Sequence, residues 1–196
     1  VDVERGVDST LKGNRVVVNP VSPCQKCPWC EEGNQYLCPY VRTLGVPPVY
    51  GALQQRLAWP AQLCTPVPRE IPDHTAVLLV PLAYSLHILD LAELKLMERV
   101  AVLGCGHQGL LLIKALRAMG AGKIIAVDVQ EYRRDAALAH GADHAVEPLA
   151  AQELVEHWPR RGVDAAIDVS NGPEAPRLAI ALTRVGGRTI LGGYPS

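Results

Sequence analysis

Two dense motifs in this sequence carry residues that could do chemistry, and the first is a group of cysteines. Cys24, Cys27, Cys30 and Cys38 fall within 15 residues, with gaps of two, two and seven residues between them. Thiolates at this spacing can surround one tetrahedral zinc ion. Because four cysteines leave no coordination position open, the motif predicts a structural zinc site and not a catalytic one.

Two other interpretations of the cysteine motif are a pair of disulfides and a zinc module that binds nucleic acid. The chain starts Val-Asp-Val-Glu-Arg, which is not a secretory signal, so disulfides are disfavoured. Zinc ribbons usually place their cysteine pairs far apart, and a net charge of -1 provides no basic excess to attract nucleic acid. Of the two remaining cysteines, Cys64 is interpreted as a core residue and Cys105 as a small filler.

The second motif is a glycine-rich turn at residues 100–109, which read Val-Ala-Val-Leu-Gly-Cys-Gly-His-Gln-Gly. A hydrophobic strand runs directly into Gly104, Gly106 and Gly109, and a predicted helix follows. The first glycine permits a tight turn, the second lets the backbone approach a pyrophosphate, and the third lets the helix pack against the strand. The N–H groups at the start of that helix would face the phosphates.

An acidic residue stands where such a turn needs one. Asp128 lies 19 residues after Gly109, at the end of the next predicted strand. There its carboxylate can accept hydrogen bonds from ribose hydroxyls and would repel the extra phosphate of NADP. The motif therefore predicts an NAD site. Two alternatives to a dinucleotide site are a glycine turn in an unrelated α/β domain and a methyltransferase, which also places an acid after its second strand.

The elements that must position these motifs divide the chain into two parts. Residues 1–72 are rich in Pro, Cys, Gly and Val, with short strands predicted over 16–18, 51–59 and 62–67. In residues 73–196, Asp73 is a candidate N-cap for a helix over 76–91 that breaks at Pro81. Strands are then predicted over 99–103, 123–127, 143–146, 163–169 and 188–191, and helices over 108–119, 131–140, 151–158 and 174–185. This alternation predicts an α/β fold with a doubly wound parallel sheet, preceded by a β-rich part.

Taken together, these motifs resemble the zinc-containing medium-chain dehydrogenases, and the sorbitol and threonine dehydrogenases most of all. The resemblance covers essentially the whole chain. It rests on residues 13–20, the cysteine loop, and residues 81–83, 102–106, 140–143 and 186–188. It implies that residues 1–72 are part of a GroES-like catalytic domain with a structural zinc lobe. It also implies that residues 73–196 are an NAD-binding Rossmann domain without its last strand.

The resemblance also implies further coenzyme contacts. The basic residue five positions after the ribose acid is Arg133, which would lie beside the adenosine ribose. Ser170 would lie in the loop that runs past the coenzyme, and Gly192 and Gly193 would belong to the backbone that holds the nicotinamide amide. The candidate coenzyme residues are therefore Gly104, Gly106, His107, Gln108, Gly109, Asp128, Arg133, Ser170, Gly192 and Gly193.

The sequence departs from the family where the catalytic zinc should be held. The family binds that ion through a Cys and a Gly-His-Glu motif upstream of the cysteine loop, and no His-Glu dipeptide occurs in this chain. The acid or Cys that often precedes the Pro-Leu-Ala segment is Val80, which cannot bind a metal. We therefore expect a fragment that binds NAD(H) weakly at best and turns over no substrate.

The whole protein is expected to move hydride between NAD and a small-molecule alcohol or polyol, with zinc as Lewis acid, and to form a homodimer or homotetramer. One alternative is a zinc-free quinone or enoyl reductase of the same superfamily, which usually lacks the cysteine loop and favours NADPH. The other is a truncated, non-catalytic module for coenzyme binding or oligomerisation. A hydrophobic content of 48% and a charged content of 20% are typical of a globular, cytoplasmic protein. The longest uninterrupted apolar runs are too short to cross a membrane.

Overall fold

A computed structural model describes residues 1–2 and 9–193. By internal contacts the chain divides into two compact units, Val1–Val80 and Pro81–Ser196. The sequence prediction placed the domain boundary after residue 72, ahead of the connecting helices. Each unit is described below by itself.

The first unit is built from short elements. Strand β1 (Val16–Val18) pairs antiparallel with β4 (Cys64–Pro66), and β2 (Val21–Ser22) pairs antiparallel with β3 (Arg42–Thr43). The other described residues before residue 73 form irregular or single-turn structure, including α1 (Pro28–Glu31) and short 3₁₀ turns at Ser9–Leu11, Gln35–Leu37 and Ala61–Leu63.

The strand predicted over 51–59 is wrong. That segment is irregular, and most of its side chains are exposed at odd and even positions alike, Leu53 completely so. A strand forms where one of its two faces can be buried, and this segment has no buried face.

The helix predicted over 76–91 is two helices, α2 (Asp73–Ala76) and α3 (Leu79–Leu91), and the break at Pro81 is wrong. Pro81 is the third residue of α3, where its missing N–H has no intrahelical partner to lose. Asp73 is also not the N-cap, since it is the first helical residue and the cap is Pro72. Its carboxylate forms an ion pair with Arg15 instead.

The segment Asp73–Ala92, which contains both helices, is long and apolar enough to cross a bilayer by length and composition alone, with a mean hydropathy of 1.7. Counting only uninterrupted apolar runs overlooked this segment, because Ser85 and His87 interrupt it. Core helices of soluble proteins pass the same test. Part of this one does pack inside its unit, where Ser85, Ile88 and Leu89 are buried.

The second unit is a five-stranded parallel sheet in the order β7-β6-β5-β8-β9, which confirms the predicted fold class. The order reverses between β5 and β8, as in a doubly wound Rossmann sheet. Its strands are β5 (Arg99–Leu103), β6 (Lys123–Val127), β7 (His144–Val146), β8 (Val163–Asp168) and β9 (Thr183–Leu191). Its helices after α3 are α4 (His107–Ala118), α5 (Glu131–Ala139), α6 (Pro148–Glu156) and α7 (Ala175–Leu182).

Helices cover both faces of this sheet, which explains why the middle strands read as continuous apolar runs. On one face, alternate residues such as Val102 and Ile124 pack with buried residues of α3, α4 and α5. On the other face, Ala101, Leu103 and Ile125 pack with α6 and α7. Strands β5, β6 and β8 are therefore packed on both faces. Because the strands are parallel, the loops at their carboxyl ends lie together at one edge of the sheet.

The last strand begins earlier than predicted, because Gly186 and Gly187, which separate the predicted helix over 174–185 from the predicted strand over 188–191, lie inside the strand. Helix α7 ends at Leu182, and Thr183 already pairs with Val163. The register then shifts, so that Ala165 pairs with Arg188. Gly186, with φ of 73°, lies in the extra residues of this irregularity, a position that favours glycine.

Candidate functional site

The candidate coenzyme cleft lies at the carboxyl edge of the parallel sheet, in the second unit. A cavity of about 910 Å³ opens where the loops after β5, β6 and β8 meet. In open α/β sheets, ligands bind at this switch point, outside the carboxyl ends of the strands. Eight of the ten candidate coenzyme residues line the cavity: Gly104, Gly106, His107, Gln108, Gly109, Asp128, Arg133 and Ser170.

The three glycines of the loop have different surroundings. Gly104 has φ of +90°, and its N–H donates to Val127 O at 2.8 Å. A Cβ on Gly109 would lie 1.9 Å from Gly104 O, so helix and loop touch there. A Cβ on Gly106 would meet nothing within 4 Å, which leaves its backbone open to the cavity. The loop therefore provides the open backbone cradle that a pyrophosphate requires.

Helix α4 starts in this loop without a side-chain cap. Its N-cap is Gly106, and no side chain accepts a hydrogen bond from the first turn. The uncapped N–H groups and the positive end of the helix dipole suit a phosphate group. The exposed ring of His107 lies beside them.

The side chain of Gln108 faces the protein. Its Nε2 donates to Pro81 O at 2.9 Å and to Ser85 Oγ at 2.6 Å, both on α3. The backbone N–H of Gln108 is therefore available to a ligand in the cavity, while its side chain attaches the glycine loop, here also called the phosphate loop, to α3.

Asp128 is nearly buried, with 7% of the residue exposed, beside the glycine loop. Its Oδ2 accepts from Cys105 N and its Oδ1 from Gln130 N, each at 2.8 Å. These bonds fix the carboxylate in place. Each oxygen keeps a second lone pair that a ribose hydroxyl could use.

Arg133 stands beside that carboxylate, with its Nη1 3.8 Å from Asp128 Oδ2. Its Nε donates to the Tyr132 hydroxyl at 3.1 Å, and this bond raises the pKa of the guanidinium further. The side chain is 43% exposed and places a positive charge at the rim of the cavity. Arg134 is held differently, since its Nη1 donates to Asp128 O and Val129 O.

The loop after β8 is organised by Asp168. This buried carboxylate accepts from Ser170 N at 2.9 Å and from Ser170 Oγ at 2.8 Å. A Cβ on Gly104 would lie 2.9 Å from Ser170 Cα, so this loop lies directly against the glycine turn. Ser170 therefore lies in the cavity wall, beside the glycine turn.

Gly192 and Gly193 do not line the cavity. They follow β9 on the far side of the Ser170 loop, and a Cβ on Gly193 would lie 2.1 Å from Ser170 O. Gly192 N donates to Asp168 O at 2.8 Å. The two glycines therefore contact the Ser170 loop, which forms part of the cavity wall, and not the cavity itself.

Sequence reasoning missed several residues of this edge. Asp168 could have been noticed as an acid that follows the apolar residues 165–167 at the end of a predicted strand. Tyr84 gave no signal, because its contact with Gly192 depends on how α3 lies against the end of β9. Cavity-lining residues without a motif were also missed, among them Val129, Leu149, Gln152, Arg177 and Ala181.

The cysteine motif forms a separate cluster in the first unit. The sulfur atoms of Cys24, Cys27, Cys30 and Cys38 all lie within 4.8 Å of one another, and three of these residues are buried. Four sulfurs at ~2.3 Å from one zinc ion would be ~3.8 Å apart, and the sulfurs of Cys27 and Cys30 are 3.5 Å apart. All six cysteines of the chain are free thiols, so the disulfide interpretation fails.

The thiols of this cluster differ in acidity. A backbone hydrogen bond from Lys26 lowers the pKa of Cys24 to about 7. Burial raises the pKa of Cys30 to about 12. A zinc ion would hold all four as thiolates and release their protons on binding. The donor set fits a structural zinc, and within residues 1–2 and 9–193 it is the one grouping of three or more metal-binding side chains.

The other cysteines and several histidines have structural surroundings. Burial, followed by the charge of Asp128, raises the pKa of Cys105 to about 12, so its thiol stays protonated. The Nδ1 atoms of His140 and His157 lie 2.8 Å from Ala136 O and Glu153 O, each one helical turn back.

Two family models match the chain. Residues 1–69 match the alcohol dehydrogenase GroES-like domain, and residues 109–196 match the zinc-binding dehydrogenases. With the Rossmann sheet and the four-cysteine cluster, these matches show that the chain belongs to the medium-chain zinc-dependent dehydrogenase family. Within that family it is similar to sorbitol and xylulose dehydrogenases.

Curated relatives include a sorbitol dehydrogenase from Bacillus subtilis, 34% identical over 99% of this chain and 56% of its own length. A D-xylulose reductase A from Aspergillus niger is 32% identical over 97% of this chain and 55% of its own length. The chain thus spans just over half the length of these relatives.

Solved structures show the same fold. A zinc-binding dehydrogenase from Sinorhizobium meliloti, bound to NADP, has a TM-score of 0.89 at 29% identity and covers 100% of this chain and 58% of its own. An alcohol dehydrogenase from Escherichia coli, complexed with NADH, has a TM-score of 0.89 at 27% identity and covers 99% of this chain and 58% of its own. Since one neighbour holds NADP and the other NADH, the likeness alone does not decide between the two coenzymes.

Proposed function

We propose that this chain is the coenzyme-binding and structural-zinc portion of an NAD(H)-dependent dehydrogenase that interconverts a polyol or alcohol and its carbonyl compound. The observation that carries the proposal is the buried Asp128 carboxylate, which backbone N–H groups hold beside an open glycine loop. This geometry supplies a ribose acceptor and a pyrophosphate cradle at one cavity.

The same carboxylate supports NAD over NADP. A phosphate on the 2′ oxygen of the ribose would approach Asp128, and bringing two negative charges together at a poorly solvated site is costly. Arg133 reduces this repulsion but is itself exposed and 3.8 Å from the carboxylate. We therefore expect NADH to bind at least about tenfold more tightly than NADPH, a difference of ~1.4 kcal/mol.

The proposed substrate class is supported by the relatives, which are named for sorbitol and D-xylulose. In the proposed oxidation, hydride passes from the carbinol carbon to the nicotinamide ring of NAD⁺ and the hydroxyl proton is released, which gives the carbonyl compound, NADH and H⁺; the protein orients the two reactants. A catalytic zinc bound by the whole protein would supply Lewis acidity at the substrate oxygen. Residues 1–2 and 9–193 hold no second ligand cluster for such an ion, so the chain itself is proposed to bind coenzyme without turnover.

Fluorescence titration of this chain with NADH and NADPH tests the coenzyme proposal. Saturable NADH binding that is at least about tenfold tighter than NADPH binding supports it, and equal or reversed affinities contradict it. An assay of NAD-linked sorbitol oxidation by the same chain should detect no turnover. Sustained turnover would show that the catalytic groups lie within the chain.

A further inference from the structure

Helix α3 makes side-chain hydrogen bonds near two ends of the carboxyl edge of the sheet, one with Gln108, which lines the cavity, and one with Gly192, which lies behind the Ser170 loop at the cavity wall. At the phosphate end, Gln108 Nε2 donates to Ser85 Oγ and to Pro81 O. At the other end, the Tyr84 hydroxyl donates to Gly192 O at 2.6 Å. Tyr84 and Ser85 are neighbours on one helix, so that helix joins two loops that follow different strands.

The end that Tyr84 contacts is the nicotinamide end, given the proposed function. The strand order reverses between β5 and β8, and Asp128 follows β6 on one side of the reversal. A dinucleotide with its adenosine ribose at Asp128 and its pyrophosphate at the glycine loop must extend across the reversal, over the ends of β8 and β9. Ser170 and Gly192 occupy those ends.

Contacts on several sides hold the Gly192 turn. Its N–H is bound to Asp168 O, and its C=O accepts from Tyr84. A Cβ on Gly192 would lie 2.9 Å from Ile88 Cδ1 and 3.1 Å from the Tyr84 hydroxyl, so α3 lies directly against the turn. Without the hydroxyl, Gly192 O would lose this donor, and the turn could move away from α3.

We propose that Tyr84 is a positioning residue for the nicotinamide half of the coenzyme, acting through the hydrogen bond from its hydroxyl to Gly192 O. The adenosine half is held by a different set of groups, namely Asp128, the glycine loop and the start of α4. Loss of the hydroxyl therefore disturbs one half of the bound dinucleotide and leaves the other in place. This inference rests on the proposed NAD site.

ADP-ribose, which lacks the nicotinamide ring, separates the two halves. For Tyr84→Phe we expect NADH to bind about threefold to tenfold more weakly, the range that follows from one hydrogen bond, and ADP-ribose to bind within about twofold of wild type. The emission of bound NADH should shift toward that of free NADH, because the ring is held less firmly. Ser85→Ala should weaken both ligands by a similar factor, because Ser85 supports the phosphate loop. Tyr50→Phe, a change at an 87% exposed ring in the first unit, should alter neither.

The outcomes are distinct. A selective loss of NADH affinity in Tyr84→Phe, with the melting temperature unchanged, supports the proposal. An equal loss for both ligands indicates a general structural role and overturns it, and so does no loss at all. If wild type binds neither NADH nor ADP-ribose, the proposed NAD site itself fails.

Discussion

At the scale of single residues, the glycine loop shows how one residue type serves two purposes. Gly109 is required by the protein itself, because any Cβ there would overlap Gly104 O. Gly106 faces open space, so the folded chain alone does not require it to be glycine. A need for glycine at that position would have to come from a ligand that approaches the backbone.

This difference gives a matched pair of variants. Gly106→Ala should melt within about 2 °C of wild type but bind NADH at least about tenfold more weakly, since the methyl group occupies pyrophosphate space. Gly109→Ala should lower the melting temperature by several degrees even without ligand, because loop and helix must separate. Thermal melts with and without NADH measure both. Unchanged NADH affinity in Gly106→Ala would contradict the assignment of the loop.

Of the eight candidate residues that line the cavity, six were predicted from their spacing along a strand, a turn and a helix, and Arg133 and Ser170 were predicted from the family resemblance. Sequence alone could not predict how their side chains are used inside the protein. The Gln108 amide is bound to α3, and Asp128 is bound by two backbone N–H groups, contacts that depend on tertiary packing. The motif identified the positions, and the structure shows which of their atoms remain available.

At the scale of elements, three strands are joined at their amino ends by one carboxylate. Asp164 on β8 accepts from Arg99 N at 2.8 Å and from Arg184 Nε at 2.6 Å, so it connects β5 and β9. Burial alone would raise its pKa, but the hydrogen bonds from the two arginines outweigh it and lower the pKa to about 2. This site is opposite the cleft edge and stabilises the sheet.

The lowered pKa of Asp164 predicts how stability depends on pH. A carboxylate with a pKa below its ordinary value of 3.8 stabilises the fold above that value, and the contribution is lost as the pH falls toward about 2. The amount is ~2 kcal/mol. Urea unfolding at pH 7, 4 and 2.5 should therefore show a smaller acid-induced loss in Asp164→Asn than in wild type. Asp135→Asn, at an exposed position on α5, should retain the wild-type loss, and identical profiles for all three proteins would contradict the assignment.

The cysteine lobe allows a test at the same scale. Removal of zinc with a chelator should speed amide hydrogen exchange in residues 24–38. The buried cluster of this segment consists of the four cysteines, so the bound zinc ion would hold the segment together in place of a hydrophobic core. Cys27→Ser should abolish zinc binding. Cys64→Ser should retain it, because Cys64 Sγ lies outside the cluster, near Pro60 O. Hydrogen exchange read by mass spectrometry locates the effect, and faster exchange spread evenly through β5 to β9 would contradict a local structural zinc.

At the scale of the whole molecule, the second unit was easier to predict than the first. The alternation of predicted strands and helices is enough to indicate a parallel sheet without knowledge of individual side-chain contacts, and all five strands were predicted. The first unit has few periodic runs, and its structure depends on individual side-chain contacts between distant parts of the sequence, such as the ion pair of Arg15 with Asp73. The errors at 51–59 and at Pro81 both fall before or at the start of the sheet-forming part, where periodicity gives no guidance.

The central claim is that one chain combines a four-cysteine zinc site with an NAD(H) platform. Native mass spectrometry of the chain, incubated with zinc and then with NADH or NADPH at equal concentration, tests both parts in one spectrum. The account predicts one zinc ion per chain, one bound NADH, and far less bound NADPH. A chain that holds no zinc, or that takes up no dinucleotide while fully folded, would contradict it.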